Sequence, residues 1–139
     1  MIKKVFIDSD VILDVATGRM PFVEHSKTAL SLIEDGYALG VISSNSITNI
    51  YYVLRKISSN DKARFFIKTI LKYISVITVD HDSVLSALDS KSMDFEDGVQ
   101  NYCALKNQCD LILTRNIKDY TFSELQVLEP GEFIALYDK

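Results

Sequence analysis

The sequence contains few of the side chains that bind transition metals or form disulfides. It has two histidines and two cysteines, and Cys103 and Cys109 are six positions apart. That spacing fits neither a CxxC redox motif nor a zinc-binding motif, and two histidines are too few for a transition-metal site. We therefore expect both cysteines to be buried, reduced thiols.

Long apolar stretches are also missing. Runs such as residues 73–79 are far shorter than the ~20 residues that a membrane-spanning helix requires. The apolar run after Lys3 and Lys4 reaches Asp8 too soon to form the hydrophobic region of a secretory signal. We therefore expect a soluble, cytoplasmic protein with no membrane association.

Positive charge is in deficit overall but is unevenly distributed. The formal net charge of −4 at pH 7 excludes a protein that holds nucleic acid through a global positive field. Residues 50–75 nevertheless carry six positive charges and one negative, whereas residues 80–97 carry six negative charges and one positive. The two segments could hold a polyanion on a metal ion, or both could simply be solvated helix faces.

The order of apolar patterns predicts the fold. The 139 residues are the length of one domain, and no repeat, low-complexity tract or linker divides residues 1–139. Strands are predicted at 5–7, 39–43, 73–79 and 110–114, with a short fifth candidate at 125–128. Stretches with helical apolar spacing separate them. Alternating strands and helices form βαβ units, so we predict a three-layer α/β/α sandwich with a central parallel sheet of four to five strands.

Polar residues follow several of the predicted strands. In a parallel sheet the carboxyl ends of the strands meet at one edge, where ligands bind. Oxygen ligands without histidine or cysteine select Mg²⁺ or Mn²⁺, which bind through a few carboxylates and substrate phosphates. The predicted chemistry is therefore metal-assisted phosphoryl transfer to water. The candidate residues are Asp8, Asp10, Asn49, Asp94, Glu96, Asp97, Asn116 and Asp119.

The first acids have structural explanations as well as functional ones. An unpaired carboxylate at the end of a buried strand costs roughly several kcal/mol, which favours a site role for Asp8. Asp10 could cap the first helix or support the site. Asp94 and Asp97 have the spacing of N-cap and N3 positions, so we interpret Asp94 as a cap and Asp97 as a metal contact.

The remaining acids are weaker candidates. Glu96 is rotated by about 100° from Asp97 on the helix, so the two side chains diverge. Asn116 and Asp119 follow Thr114 in a loop, where they could belong to the site or act only as turn residues.

Four segments in order resemble the PIN domain family. They are Phe6 to Asp14, Ser46 to Arg55, Asp94 to Gly98 and Leu113 to Tyr120, and together they span nearly the whole chain. The resemblance implies a metal-dependent ribonuclease acting on single-stranded RNA, like the toxin of VapBC-type toxin-antitoxin pairs. It also implies a frequent homodimer and a partner protein, the antitoxin, that holds the nuclease silent.

The resemblance also assigns residues to roles. The family's first acid falls on Asp8, its third on Asp97, and its fourth on the loop 116–119. The second acid falls on Asn49, an amide, so the metal site would lack one negative charge. The supporting polar groups are Thr114 and Asp10, with Asp94 and Glu96 nearby.

These assignments lead to a mechanistic hypothesis. Asp8, Asp97 and Asp119 hold one or two Mg²⁺ or Mn²⁺ ions, and Asn49 and Asn116 complete or orient the ligand shell. A metal-bound water attacks an RNA phosphodiester. The flanking phosphates are bound by Arg55, Lys56 or Arg115.

Two other functions are compatible with the sequence. The segment Asp8-Ser9-Asp10-Val11 suits the aspartyl nucleophile and acid of a haloacid-dehalogenase-like phosphatase. The amide at Asn49 instead suits a catalytically silent protein-binding module that retains the fold.

Overall fold

A five-stranded parallel sheet forms the centre of the molecule, for which the computed structural model describes residues 2–138. The strands are β1 (Lys3–Ile7), β2 (Ala38–Ser43), β3 (Ile74–Ile77), β4 (Leu111–Leu113) and β5 (Gln126–Leu128). Their spatial order is β3-β2-β1-β4-β5, with parallel pairing throughout.

Helices connect the strands and cover both faces of the sheet. They are α1 (Ser9–Thr17), α2 (Val23–Glu34), α3 (Ser44–Ile57), α4 (Asn60–Ile70), α5 (His81–Asp89), α6 (Phe95–Lys106) and α7 (Pro130–Ala135). A 3₁₀ turn, Ile117–Tyr120, lies between β4 and β5. The prediction of a three-layer α/β/α sandwich is confirmed.

The central strands are apolar because helices cover both of their faces. Successive side chains of a strand point to opposite faces, so Val5 and Ile7 face one layer and Phe6 faces the other. The first layer contains α1, α2, α3, α4 and α7, as shown by core residues such as Ile33 and Phe133. The second layer contains α6, which contacts the sheet, and α5, which packs on α6.

Edge strand β3 is shorter than the predicted strand 73–79. Among the strands of residues 2–138 it pairs with β2 alone, and their pairing ends where Ser43 meets Ile77. The chain turns into α3 directly after Ser43, whose side chain accepts a hydrogen bond from the Ser46 amide. Because β2 ends there, residues 78 and 79 have no strand beside them and do not extend β3.

Strand β1 lies at the point where the strand order reverses. It pairs with β2 on one side and with β4 on the other. In parallel sheets, this switch point opens a crevice beyond the carboxyl ends of the two diverging strands. Asp8 follows β1 and Thr114 follows β4, so both stand at this crevice.

Two further expectations concern the cysteines and the membrane. Cys103 and Cys109 are both free and buried, as predicted. Within residues 2–138, no helix combines the length and the apolar character needed to cross a bilayer.

Candidate active site

Asp8 lies at the crevice between β1 and β4. It occupies the N-cap position of α1, but its side chain makes no capping hydrogen bond. Its carboxylate instead accepts hydrogen bonds from the Thr114 hydroxyl at 3.1 Å and from the Tyr120 hydroxyl at 3.0 Å, both to Oδ2. The structure thus directs this carboxylate into the crevice.

Asp10 is held by the segment that follows β4. Its Oδ2 accepts from Asn116 Nδ2 at 2.9 Å and from the Arg115 amide at 3.3 Å, and it lies 3.2 Å from Thr114 Oγ1, whose single proton it shares with Asp8. Because Asp8 occupies the N-cap position of α1, the interpretation of Asp10 as the helix cap is wrong. Asp10 anchors the loop that carries Asn116.

Asp97 and Asp119 line a small cavity of about 100 Å³ together with Asp94. Asp94 caps α6, as predicted, because its Oδ1 accepts from the Asp97 amide at 3.1 Å. Gly98 lets this first turn approach the preceding loop, since a Cβ at that position would lie 2.6 Å from Ser92 Oγ. This close packing fixes the first turn of α6, which carries Asp97, against the loop.

The site carries more negative charge than its surroundings compensate. Burial raises the pKa of Asp8, although the hydrogen bonds from Tyr120 and Thr114 lower it. Burial and the charge of Asp8 raise the pKa of Asp10 to about 7. Burial, followed by the charges of Asp94, Asp8, Asp119 and Glu96, raises the pKa of Asp97 to about 7. A cation at this position would remove the mutual repulsion.

The donor chemistry fits a hydrated hard cation. Within residues 2–138, no three carboxylate, imidazole or thiolate groups lie close enough together to form a metal site on their own. Mg²⁺ does not require such a group, because it usually keeps several waters and binds through one or two carboxylates and substrate phosphates. Asp8 and Asp97 suit this mode, whereas direct joint coordination by Asp8, Asp97 and Asp119 remains a prediction.

Several predicted site residues are exposed and make no hydrogen bond to Asp8 or Asp97 among the described residues. Asn49 is exposed on α3, and no hydrogen bond among the described residues joins it to Asp8 or Asp97. Glu96 is exposed as well, as its helical position predicts. Arg55 and Lys56 line a groove on α3 with Tyr52 and Val53.

Arg115 makes contacts that its sequence position did not indicate. Its Nε donates to Asp14 Oδ2 at 2.7 Å, its Nη2 donates to Asp14 Oδ1 at 3.3 Å, and its guanidinium lies 4.3 Å from the centre of the Phe22 ring. Asp14 is only 1% exposed. The Arg115 side chain therefore serves a buried ion pair, and its predicted phosphate contact would have to share the guanidinium with Asp14.

A family model described as the PIN domain matches residues 4–118. The chain belongs to the PIN domain family. It is 32% identical over 136 residues to Ribonuclease VapC1 from Aquifex aeolicus (strain VF5), an alignment that covers 94% of this chain and 93% of that protein. The family match excludes the haloacid-dehalogenase interpretation of Asp8-Ser9-Asp10-Val11.

Solved structures share this PIN fold. One is VapBC2 from Rickettsia felis bound to a DNA fragment from its promoter, with a TM-score of 0.73 and 13% identity over 91% of this chain and 98% of that chain. Another is Mycobacterium tuberculosis VapC20, a toxin that cleaves the sarcin-ricin loop, with a TM-score of 0.64 and 13% identity over 88% and 98% of the two chains. At these identities the likeness establishes the fold alone.

Sequence reasoning missed several residues of this PIN domain site. Tyr120 is 2% exposed, and its position in a polar loop gave no sign that its hydroxyl would bond to Asp8. Gln100 follows Asp97 by one turn of α6, a spacing that could have indicated it, and its Nε2 donates to Ser46 Oγ at 2.7 Å. This buried bond ties α6 to the first turn of α3.

We expect Tyr120→Phe to weaken the site without unfolding the PIN domain. Burial and the negative charge of Asp8 raise the pKa of the phenol, which keeps it a donor. Losing a hydrogen bond to a charged group costs ~1.5–3 kcal/mol. We therefore expect the free energy of unfolding to fall by up to that amount, or the rate of RNA cleavage to fall by up to roughly 100-fold. Urea unfolding and RNA cleavage rates measure the two effects. Tyr102→Phe on α6 is the control, and equal effects of both variants would contradict the role of Tyr120.

The metal-free PIN domain should lose stability as the pH rises from about 4 to about 7. The ordinary aspartate pKa is 3.8, whereas Asp10 and Asp97 titrate near 7 in the folded chain, so the folded state binds more protons between these values. The extra protons stabilise the folded state fully below pH 3.8, the pKa of an aspartate in the unfolded chain. This stabilisation disappears as the pH rises past about 7, the pKa of Asp10 and Asp97 in the folded chain. After allowance for solvent screening of Asp97, we expect the melting temperature to fall by ~5 °C.

Thermal melts followed by circular dichroism, with and without Mg²⁺, measure this pH dependence. Mg²⁺ should raise the melting temperature above pH 7 and have little effect near pH 4, where the carboxyls are protonated. A melting temperature that rises with pH in EDTA would contradict the argument.

Proposed function

We propose that this chain is a divalent-metal-dependent endoribonuclease that cleaves single-stranded RNA. The observation that carries the proposal is the position of Asp8 at the switch point of the sheet, beside Asp10 across the Thr114 hydroxyl and close enough to Asp97 for its charge to raise the pKa of that residue. The chain is also 32% identical to a protein named as a ribonuclease. An excess of carboxylate oxygen at a crevice suits an Mg²⁺ or Mn²⁺ ion and a phosphodiester.

The carboxylates divide into those that would hold the ion and those that support them. Asp8 and Asp97 would hold it, together with Asp119, which lines a cavity with Asp97. When bound, a divalent ion supplies an activated water and neutralises charge on the phosphate. Asp10 supports the site by fixing the loop through Thr114 and Asn116.

The basic side chains would hold the RNA backbone. Lys91 and Lys118 line the same cavity as Asp97, which places two ammonium groups beside the site. Arg55 and Lys56 on α3 could bind phosphates further along the strand. RNA bound through these few groups should dissociate at high salt, because the net charge of −4 provides no global attraction.

We further propose that the nuclease acts in the cytoplasm as a homodimer and is silenced by an antitoxin protein. Support for the antitoxin comes from two solved structures of similar fold, VapBC2 from Rickettsia felis and a toxin-antitoxin complex from Klebsiella pneumoniae. Size-exclusion chromatography with light scattering tests the dimer. Co-expression with the neighbouring small open reading frame, followed by co-purification, tests the antitoxin.

A fluorogenic single-stranded RNA tests the nuclease proposal directly. Purified protein should cleave the RNA in Mg²⁺ or Mn²⁺, EDTA should stop the reaction, and a DNA strand of the same sequence should remain intact. Cleavage that persists in EDTA would contradict a metal-dependent mechanism and would indicate a contaminating nuclease.

A silent binding module remains the second candidate, and Asn49 is the residue that favours it. The amide stands where the family's second acid falls, so one negative charge is missing from the expected set. Calorimetry with Mg²⁺ and Mn²⁺ separates the two candidates. The absence of binding heat at millimolar metal, together with no RNA cleavage, would favour the silent module.

A further inference from the structure

A second cleft, of about 270 Å³, opens beside the carboxylates on the same edge of the sheet. It lies between the beginning of α2, Arg115 after β4, and Glu129 to Gly131 after β5. Strands β4 and β5 are parallel, so both of these segments follow carboxyl ends at one edge. The Arg115 amide donates to Asp10, and the Arg115 side chain lines the cleft. Arg115 therefore lies between this cleft and the acid site.

Flat side chains form much of the wall of this cleft. The Arg115 guanidinium lies over the Phe22 ring at 4.3 Å from its centre. The His25 ring packs so closely on the backbone of Gly131 that a Cβ there would lie 3.0 Å from Nδ1. Aromatic rings and guanidinium planes are the groups on which proteins stack unpaired RNA bases.

Two polar side chains line the cleft: that of Ser26, and that of Glu129, which also forms the capping box of α7 with Glu132. Ser26 is fully buried at the floor, and its hydroxyl oxygen has no hydrogen-bond partner among the described residues. Buried hydroxyls are normally hydrogen-bonded, because an unpaired one costs ~1–3 kcal/mol. Glu129 is exposed at the rim. An ionised carboxylate only accepts hydrogen bonds, so it selects a ligand edge with adjacent donors.

Guanine is the base that matches this set of groups. Its N1–H and its N2 amino group, the donor that distinguishes G·C pairs in the minor groove, lie side by side and can both donate to one carboxylate. The cleft is slightly smaller than the ~300–1,000 Å³ of typical ligand pockets, so it suits one base and not a longer segment.

We propose that this cleft binds a guanine base of the RNA strand whose phosphate lies at the acid site. The inference rests on the proposed ribonuclease function, and it names the nucleotide that the enzyme selects next to the cleaved bond. Arg115, whose guanidinium lies on Phe22, provides the stacking surface, Glu129 recognises the guanine edge, and Ser26 pairs its hydroxyl with the bound base.

Nucleotide titrations of the metal-free chain test the cleft without requiring cleavage. GMP, AMP, CMP and UMP are added separately to isotope-labelled protein, and the amide signals of Ser26 and Gly131 are followed by NMR. GMP should shift these signals with an affinity at least tenfold higher than that of the other three nucleotides. Equal shifts with all four nucleotides, or no shift with GMP, would overturn the proposal.

Two variants add matched controls. Glu129→Gln should lower GMP affinity about tenfold and remove the preference over AMP, whereas Glu124→Gln, an exposed acid outside the cleft, should leave both unchanged. Ser26→Ala should weaken GMP binding without lowering the melting temperature, because it removes an unpartnered hydroxyl. An unchanged GMP preference in Glu129→Gln would refute the recognition of guanine.

The nucleotide titrations and the cleavage assay test the base site and the ribonuclease function separately. Guanine-selective binding without any RNA cleavage would refute the ribonuclease function and leave the base site standing. Metal-dependent cleavage without base preference or GMP binding would refute only the base site.

Discussion

Asp8→Asn is expected to reduce RNA cleavage by about 1,000-fold while leaving the fold intact. The change keeps an oxygen that can accept from Thr114 and Tyr120 but removes the charge that would hold the metal. Losing several kcal/mol of charge stabilisation, roughly 4, corresponds to this factor in rate. Initial rates on the fluorogenic RNA at saturating Mg²⁺ provide the measurement.

The stability of Asp8→Asn should move in the opposite direction from its activity. Burial raises the pKa of Asp8, which means that the folded chain disfavours its charged form. The neutral amide removes this cost and relieves the repulsion felt by Asp10 and Asp97. We therefore expect a melting temperature in EDTA at pH 8 that is equal to or above that of the parent chain.

Asp35→Asn is the matched control for this variant. Asp35 is exposed at the end of α2, near the opposite edge of the sheet, and the same change in charge there should alter neither activity nor stability. If Asp8→Asn kept more than a tenth of the parent rate, the carboxylate cluster could not be the catalytic site.

Arg115→Met is expected to cause the largest loss of stability, about 3–5 kcal/mol. It leaves the carboxylate of Asp14, which is 1% exposed, buried without its ion-pair partner. It also removes the guanidinium that packs on Phe22. Urea unfolding measures the effect, and Arg55→Met, at an exposed position of α3, should change stability by less than about 0.5 kcal/mol.

A double variant shows whether the buried charge is the cause. Replacing both members of a buried pair by apolar residues is often close to neutral, so Arg115→Met with Asp14→Leu should recover most of the loss. If Arg115→Met were nearly neutral for stability and weakened RNA binding instead, the guanidinium would serve the phosphate as the sequence predicted.

Local patterns were sufficient for the fold and for the edge at which the acids lie. The apolar run before Asp8 specifies β1, and the helical spacing after it specifies α1. Asp94 and Asp97 mark the beginning of α6 through the N-cap and N3 spacing. These signals depend on neighbours within a few residues, and the rules for parallel sheets then place the strand ends at one edge.

The partners of each side chain depended on the tertiary structure. Thr114 and Tyr120 reach Asp8 across more than 100 residues, and Arg115 reaches Asp14 across a similar separation. These contacts exist because β4 pairs with β1 in one particular register, which no local pattern specifies. The sequence by itself determined the strands, the helices and the edge of the sheet at which Asp8 and Asp97 lie. The pairing of β1 with β4 decided that the loop after β4 holds Asp10 and that Asp8 faces the crevice. The same pairing places the cleft beside Arg115 next to these carboxylates.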